Sequence, residues 1–213
     1  MKNIIQNIRR LFFDNSCTCC GEKASDNLIY LCYNCLDKIV RQKSLNKVGD
    51  TYYIWPYKGE FRKLLLEYKN NSRLALGKII SSLIEEEIFK VVYEEDIDYI
   101  VPIPINFRRE QIRGFNQVEE ILKNLNYSFL KTNRVKNTKK MFKILDKEKR
   151  ENNIKNSFKV DKEFKAKNIL IFDDIITTGA TIEEFKRELI KNGEVNKIVV
   201  FSLSASKTYM NSN

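Results

Sequence analysis

The sequence of 213 residues contains no histidine. Histidine is the side chain that most often serves as a general base and commonly binds metals, so imidazole chemistry of both kinds is excluded. A metal ligand must be a cysteine, a carboxylate or a backbone oxygen, and a general base must be a carboxylate, lysine, tyrosine or cysteine. The chain also lacks any apolar stretch of the roughly 20 residues that a membrane-spanning helix needs. We therefore expect a cytoplasmic protein without a membrane span.

Residues 1–15 are basic, and no small-residue cleavage site typical of a secretory signal follows them. Their apolar residues recur at helical spacing: Ile4, Ile5, Ile8, Leu11 and Phe12. This pattern predicts a short amphipathic helix whose apolar face packs against the protein. Docking of that face on a membrane surface is the alternative.

Acidic residues are outnumbered, with 28 against 38 basic residues and a formal net charge of +10. The excess is concentrated between Lys131 and Lys167, where fourteen basic residues stand against five acidic ones. Such a segment attracts phosphate groups, either of a diphosphate ligand or of a nucleic-acid backbone. The alternative is a compositional bias towards lysine, although a bias would act along the whole chain.

All five cysteines fall between residues 17 and 35. Four of them form two C-x-x-C pairs: Cys17 with Cys20, and Cys32 with Cys35. Four thiolates at this spacing can surround one Zn²⁺, and a site with four protein ligands has no open position for catalysis. We predict a structural zinc site with a short hairpin over residues 22–31; disulfides or an iron–sulfur cluster are the alternatives. Cys19 is either a bystander or a competitor of Cys20.

The stretch from residue 169 to residue 181 joins an apolar run, two carboxylates and a small polar turn. The apolar run predicts a strand buried on both faces of a parallel sheet. Because side chains alternate along a strand, Asp173 and Asp174 point in opposite directions, and at the strand end both can reach a polyhydroxyl ligand. The turn that follows offers backbone N–H groups to a phosphate where a helix begins. It comprises Thr177, Thr178, Gly179, Ala180 and Thr181.

Two other interpretations of this stretch are possible. An ordinary strand with acidic residues capping a turn would bind nothing. A Walker B strand also ends an apolar run with acids, but it needs a glycine-rich phosphate loop, and no G-x-x-x-x-G-K-S/T sequence occurs.

Apolar runs alternate with helical patterns, which predicts an α/β fold with a parallel sheet. A second apolar strand begins at Asp98 and ends in a loop punctuated by Pro102 and Pro104. Ligands of such sheets bind at the carboxyl ends of the strands, so this loop and the acid pair should share one rim. We predict a helix and cysteine module over residues 1–42 and an α/β domain over residues 50–205. A polar connector over 43–53, a weak strand over 126–130 and a loose polar tail are also expected.

With these features in place, the chain resembles the competence protein F family, which joins a four-cysteine zinc ribbon to a type I phosphoribosyltransferase-like domain. The resemblance covers most of the chain. Its motifs are Cys17-x-x-Cys20-Gly21, Leu31-Cys32-x-x-Cys35, Val101-Pro102-Ile103-Pro104, Arg109, Arg113-Gly114-Phe115-Asn116-Gln117, Arg150-x-x-Asn153 and residues 169–181. The motif at 113–117 is the most specific to the family, whereas 169–181 is shared by all phosphoribosyltransferases.

The resemblance implies a parallel sheet flanked by helices that binds phosphoribosyl diphosphate together with Mg²⁺. Asp173 and Asp174 would hold the ribose hydroxyl groups and would be the catalytic residues of an active enzyme, while residues 177–181 would hold the 5′-phosphate. The diphosphate would meet three arginines: Arg108, Arg109 and Arg113. The segment from Arg134 to Arg150 resembles a lid that closes over the site.

The family is associated with natural transformation, which implies single-stranded DNA and competence-pathway proteins as partners. The alternatives are an active phosphoribosyltransferase in nucleotide salvage or biosynthesis, and a regulator that senses phosphoribosyl diphosphate. The lid segment lacks the glutamine that the family usually has, and no segment resembles the hood that recognises a nucleobase. The sequence therefore supports binding of phosphoribosyl diphosphate more strongly than an enzymatic reaction. It does not identify an acceptor substrate or the oligomeric state.

Overall fold

The computed structural model describes residues 16–70, 73–135, 156–160 and 164–211. The amphipathic helix predicted over residues 1–15 lies outside these ranges, as do the lid residue Arg150 and most of the lid segment. In the described part of the chain, no helix has the length and apolar character needed to cross a membrane.

The fold is α/β and is built on a five-stranded, mostly parallel sheet, as the alternation of apolar runs predicted. Its strands are β1 (Asn46–Val48), β2 (Thr51–Pro56), β3 (Tyr99–Pro102), β6 (Phe164–Ile176) and β7 (Gly193–Ala205). Their spatial order is β1-β2-β7-β6-β3, and all neighbours are parallel except β1 and β2. Two short strands, β4 (Asn133–Arg134) and β5 (Phe158–Lys159), form a separate antiparallel ladder.

Helices cover both faces of the sheet. They are α1 (Tyr33–Arg41), α2 (Gly59–Asn70), α3 (Leu74–Glu94), α4 (Phe107–Arg113), α5 (Gln117–Asn124), α6 (Ala180–Lys191) and α7 (Lys207–Asn211). Three local predictions were wrong. The connector over 43–53 contains β1 and the start of β2, residues 126–130 form a turn and an irregular segment, and the C-terminal tail forms α7.

Strand β6 separates two hydrophobic clusters because its side chains alternate between the faces of the sheet. Leu170 and Phe172 belong to the larger cluster, which includes residues of helices α1, α2, α3 and α5. Ile169 and Ile171 belong to the smaller cluster, beneath α6. All four side chains are fully buried, and each such burial contributes about 1.5–3 kcal/mol to stability. The strand therefore fixes which face each following residue reaches.

The cysteine segment packs against the α/β part of the chain rather than standing apart. Cys17, Cys35 and Ile39 belong to the same buried cluster as Trp55 and Phe61. The indole Nε1 of Trp55 donates a hydrogen bond to the carbonyl of Ile39 at 2.9 Å, and the rings of Trp55 and Phe61 stack with centroids 4.0 Å apart. The two parts share one core, and the predicted domain division between residues 42 and 50 stays a prediction.

Candidate functional site

The acid pair lies at the carboxyl end of the parallel strands. Pro102, at the end of β3, pairs with Phe172, so the loop after β3 and the carboxylates of β6 meet at one rim. Asp174 is 5% exposed and lies on the face of the sheet that carries the larger cluster, whereas Asp173 is half-buried and lies on the opposite face. The backbone N–H of Asp174 donates to Asp173 Oδ1 at 2.8 Å. The two carboxylates are thus linked but approach the rim from different sides, as strand alternation predicts.

Asp174 is held by a set of charged and polar partners from α2, α4 and α5. Lys69 Nζ lies 2.7 Å from its Oδ2 atom, and the Gln117 amide donates a hydrogen bond to the same oxygen. Arg113 donates to the side-chain oxygen of Gln117, and the Tyr68 hydroxyl donates to the Gln117 carbonyl at 2.9 Å. The buried carboxylate therefore has both a direct cation and a hydrogen-bonded link to a second one.

The carboxyl group of Asp173 has a raised pKa. Burial raises the pKa of its carboxyl group to about 7, and the neighbouring charge of Asp174 raises it further in the same direction. Lys69 and Arg134 oppose this rise. The Asp173 carboxyl is consequently a weaker acid than a solvent-exposed aspartate.

Two of the three arginines predicted to bind diphosphate turn towards this rim. Arg109 and Arg113 are half-buried and four residues apart in α4, and burial lowers the pKa of both guanidinium groups. Asp174 opposes that lowering for Arg113, whereas Arg109 adds to it. Arg108 lies on the exposed face of the same helix. The structure therefore brings Arg113 close to Asp174, places Arg109 beside Arg113, and leaves Arg108 on the outer surface.

Arg134, predicted as part of the lid, also reaches the rim. Burial lowers the pKa of its guanidinium group to about 10, with Arg109 acting in the same direction and Asp173 opposing it. Its guanidinium carbon lies 5.2 Å from the centre of the Phe158 ring on the paired strand β5. A third arginine thus joins the group from the β4–β5 ladder.

The turn around Gly114 explains the local geometry of the arginine–glycine motif. Gly114 ends α4 with a φ of +85°, a conformation that favours glycine over side-chain-bearing residues. Asn116 then caps α5 through its Oδ1 atom, which accepts from the Val118 N–H, and its Nδ2 donates to the Ile103 carbonyl at 3.2 Å. This cap positions the next residue, Gln117, whose side-chain amide donates a hydrogen bond to Asp174. The motif therefore anchors the loop after β3 and aims one amide at the acid pair.

The predicted phosphate turn lies between β6 and α6. Thr177 is exposed, and the four residues that follow it to Thr181 are half-buried. Gly179 has a φ of +77° and precedes α6, which has no side-chain cap at its start. The hydroxyl of Ser206 donates to the Thr177 carbonyl at 2.7 Å, and Tyr209 lies 3.3 Å from the position of a Cβ atom at Gly179. The uncapped helix start leaves its first N–H groups directed at the turn.

The four C-x-x-C cysteines come together as one cluster. The Sγ atoms of Cys17, Cys20, Cys32 and Cys35 all lie within 4.8 Å of one another. The Sγ atoms of Cys20 and Cys32 are 3.7 Å apart, close to the roughly 3.8 Å that a tetrahedral site with zinc–sulfur bonds of about 2.3 Å requires. The N–H of Cys35 donates to the Cys32 sulfur at 3.5 Å. These four residues fit a tetrahedral metal ion.

Cys19 has a separate role in packing. Its thiol donates to the Glu60 carbonyl at 3.4 Å, and Lys63 Nζ donates to the Cys19 carbonyl at 2.7 Å. Burial raises the pKa of this thiol to about 11. Cys19 therefore joins the cysteine segment to α2 and is not part of the cluster. The hairpin expected over residues 22–31 was wrong, since turns fill that segment and a single bridge pairs Ser16 with Lys23.

Lys69 is the site residue that sequence reasoning missed. It is one of 38 basic residues and follows the buried Tyr68 in an ordinary amphipathic helix. Its position at Asp174 depends on how α2 packs against the rest of the fold, which no local sequence pattern reveals. Gln117 was part of a recognised motif, but only the fold shows that it contacts Asp174.

Comparison with known proteins gives consistent relatives. The chain is 26% identical to DNA utilization protein YhgH of Escherichia coli over 186 residues, covering 83% of this chain and 78% of that protein. It is 27% identical to Competence protein F of Haemophilus influenzae over 202 residues, covering 87% and 83%. It is 30% identical to Competence protein ComFC of Streptococcus pneumoniae over 161 residues, covering 70% and 66%. No protein-family model matches the chain.

The fold and its two polar sites define an α/β protein in which a four-cysteine cluster shares a core with a mostly parallel sheet. The three relatives extend over most of the chain, and two of them are named as competence proteins. The chain belongs to the competence protein F family.

The raised pKa of Asp173 predicts a stability change with pH. The carboxyl group loses its proton near pH 4 in the unfolded chain and near pH 7 in the folded one, so stability falls as pH rises between these values. Asp173→Asn removes this cost. We expect the variant to be about 1–3 kcal/mol more stable than wild type at pH 8 and nearly equal to it at pH 4. Denaturant unfolding at both pH values measures the difference.

Glu95 provides a control, because its pKa is shifted in the opposite direction to that of Asp173. Hydrogen bonds from Tyr52, Lys47 and Lys197 lower the pKa of its carboxyl group to about 2. Glu95→Gln should therefore lose stability at pH 8, and the loss should shrink as pH falls towards 2. An Asp173→Asn effect that is the same at pH 4 and pH 8 would contradict the assignment.

Proposed function

We propose that this chain serves natural transformation or a related use of DNA, and that its strand rim binds phosphoribosyl diphosphate or a similar sugar phosphate. Two relatives are named for competence and one for DNA utilization, which supports the first part. The second part rests on the charged groups at the rim. Single-stranded DNA is the nucleic-acid partner that a role in transformation implies.

The observation that carries the ligand proposal is the convergence of cations on a carboxylate pair. Lys69 contacts Asp174 directly, Arg113 reaches it through Gln117, and Arg109 and Arg134 lie close enough to act on the charges of this group. These four cationic groups outnumber the two carboxyl groups, so this group of side chains carries an excess of positive charge. An anion with hydroxyl groups is the ligand that uses both kinds of group.

Each part of the rim suits one part of a phosphoribosyl diphosphate. The carboxylates of Asp173 and Asp174 accept hydrogen bonds from the ribose hydroxyl groups. The turn of residues 177–181, with its uncapped helix start, suits the 5′-phosphate. Arg109 and Arg113 suit the diphosphate, because guanidinium groups bind phosphate oxygens with paired hydrogen bonds.

Mg²⁺ enters this proposal together with the ligand. The diphosphate oxygens would supply most ligands of the Mg²⁺, and the ion would supply positive charge beside a diphosphate leaving group. The segment from Arg134 to Arg150, which resembles a lid, begins at the end of β4, and β5 follows it and pairs with β4. Catalytic use of Asp173 and Asp174, and a sensing role for the ligand, remain predictions from the resemblance.

Zinc is the metal proposed for the cysteine cluster. Four thiolates in tetrahedral reach of one another are typical of structural zinc sites. Residues 16–42 contain little regular structure besides α1, so the ion would stabilise the segment that α2 packs against.

Ligand binding can be tested with a pair of neighbouring arginines. Arg109→Ala should weaken phosphoribosyl diphosphate binding by about tenfold or more, because a charge-assisted hydrogen bond is lost. Arg108→Ala is the matched control, since Arg108 lies on the exposed face of the same helix. Isothermal titration with Mg²⁺ present measures both. Equal losses in the two variants, or no binding by the wild type, would contradict the proposal.

Zinc binding distinguishes the two adjacent cysteines. Cys20→Ser should lose bound zinc because it removes one of four ligands, whereas Cys19→Ser should keep one zinc ion per chain and lose only packing against α2. Zinc released from purified protein and measured by a chromogenic chelator gives the stoichiometry. Retention of zinc by Cys20→Ser together with its loss from Cys19→Ser would reverse the ligand assignment.

DNA binding can be tested through its dependence on salt. Each neutralised phosphate of a single strand contributes about −0.7 to the slope of log affinity against log salt. Replacing the exposed Lys159 and Lys165 together by alanine should make the slope shallower by about 1.4. The exposed Lys78 and Lys90 on α3, replaced in the same way, provide the control. Affinity for labelled single strands that does not change with salt would count against DNA as the partner.

A further inference from the structure

Lys69 forms an ion pair with one member of the acid pair, Asp174. It is the penultimate residue of α2, and its side chain is 17% exposed. Its Nζ atom lies 2.7 Å from Asp174 Oδ2, and Asp174 is among the buried charged residues. The ion pair is therefore largely withdrawn from water, and its two members interact more strongly than a surface pair would.

The same ammonium group also acts on the second carboxylate. Its charge opposes the rise in the pKa of Asp173, the residue that precedes Asp174. Two adjacent carboxylates ordinarily either share a proton or bind a divalent cation. Here a cation already belongs to the protein and stands at the oxygen that a metal ion would use.

The contacts of two other cationic side chains at the rim differ from that of Lys69. Arg113 acts on Asp174 through the amide of Gln117, and Arg134 lies over the ring of Phe158. Lys69 makes the direct ion pair with Asp174. Its removal would take away this ion pair and leave the hydrogen bond that the neutral Gln117 amide donates to the same oxygen.

We propose that Lys69 makes the acid pair a site for sugar hydroxyl groups rather than for a metal ion. Its ammonium group neutralises Asp174 within the protein, and the carboxylate oxygens accept hydrogen bonds from two hydroxyl groups of the sugar. Mg²⁺ then reaches the rim only on the phosphate oxygens of the ligand. This inference rests on the proposed sugar-phosphate function and identifies the residue that determines its metal requirement.

Ribose 5-phosphate tests the proposal because it carries the sugar hydroxyl groups without a diphosphate that brings Mg²⁺. Isothermal titration should give the wild type the same affinity with and without added Mg²⁺. Lys69→Met should bind about tenfold or more weakly without Mg²⁺, since the carboxylates are no longer neutralised. Lys69→Arg, which keeps the charge, should stay close to wild type.

Lys78→Met is the matched control, because Lys78 is exposed on α3 and should leave binding unchanged. A wild type that binds ribose 5-phosphate only with Mg²⁺ would overturn the proposal. Equal affinity of wild type and Lys69→Met without Mg²⁺ would overturn it too. If the Met variant does not fold, as judged by circular dichroism, Lys69→Gln removes the charge while keeping a hydrogen-bond donor, and the same outcomes apply.

A second measurement needs no sugar phosphate. Mn²⁺ prefers oxygen ligands to thiolates, so its binding reports on the carboxylates and not on the cysteine cluster. Titration followed by electron paramagnetic resonance should show one more bound Mn²⁺ in Lys69→Met than in wild type. The additional ion should be lost in the double variant with Asp174→Asn. Absence of the additional ion would overturn the proposal.

The two measurements separate this inference from the function on which it rests. A gain of Mn²⁺ in Lys69→Met, with no ribose 5-phosphate or phosphoribosyl diphosphate binding by any variant, would remove the sugar-phosphate function and keep Lys69 as the cation of Asp174. Sugar-phosphate binding that is independent of Lys69 would keep the function and remove the inference.

Discussion

The alternation of side chains along β6 is the constraint on which the rest of the structure depends. This strand lies between β7 and β3, and its apolar residues fill the clusters on both faces of the sheet. Where the apolar run ends, the same alternation sends Asp173 and Asp174 to opposite faces. The acid pair is therefore two different groups, one buried beside a lysine and one half-buried with a raised pKa.

Burying Asp174 is costly unless its charge is matched, and this requirement determines the arrangement around it. Lys69 supplies the counter-charge, and Gln117 supplies a hydrogen bond to the same oxygen. Loss of one partner of such a pair typically costs about 3–5 kcal/mol, because the other charge stays buried. The end of α2 and the start of α5 must consequently lie close to β6 together, and this in turn places Arg113 at the rim.

The sequence predicted those features that depend on spacing along the chain. The structure confirmed that the four C-x-x-C cysteines cluster, as their spacing predicted. It also confirmed the parallel sheet and the opposite orientation of the two acids, which follow from the pattern of apolar residues and from strand alternation. Contacts between distant segments could not be predicted, as Lys69 and Cys19 show, because they depend on the crossing of α2 over its neighbours. The prediction of a loose C-terminal tail was wrong for a related reason. Its polar composition gave no sign that Tyr209 would hydrogen bond with Thr51 and fix α7 beside the phosphate turn.

Helix α2 has a different neighbour at each end. Its first turns contact Cys19 through Glu60 and Lys63, and its last turn carries Lys69. Phe61 and Leu65, between them, lie in the core that the cysteine segment helps to close. Deleting the cysteine segment would thus uncover the apolar side of the helix that supports the acid pair. A chain without the cysteine segment would need another way to cover that side of the helix.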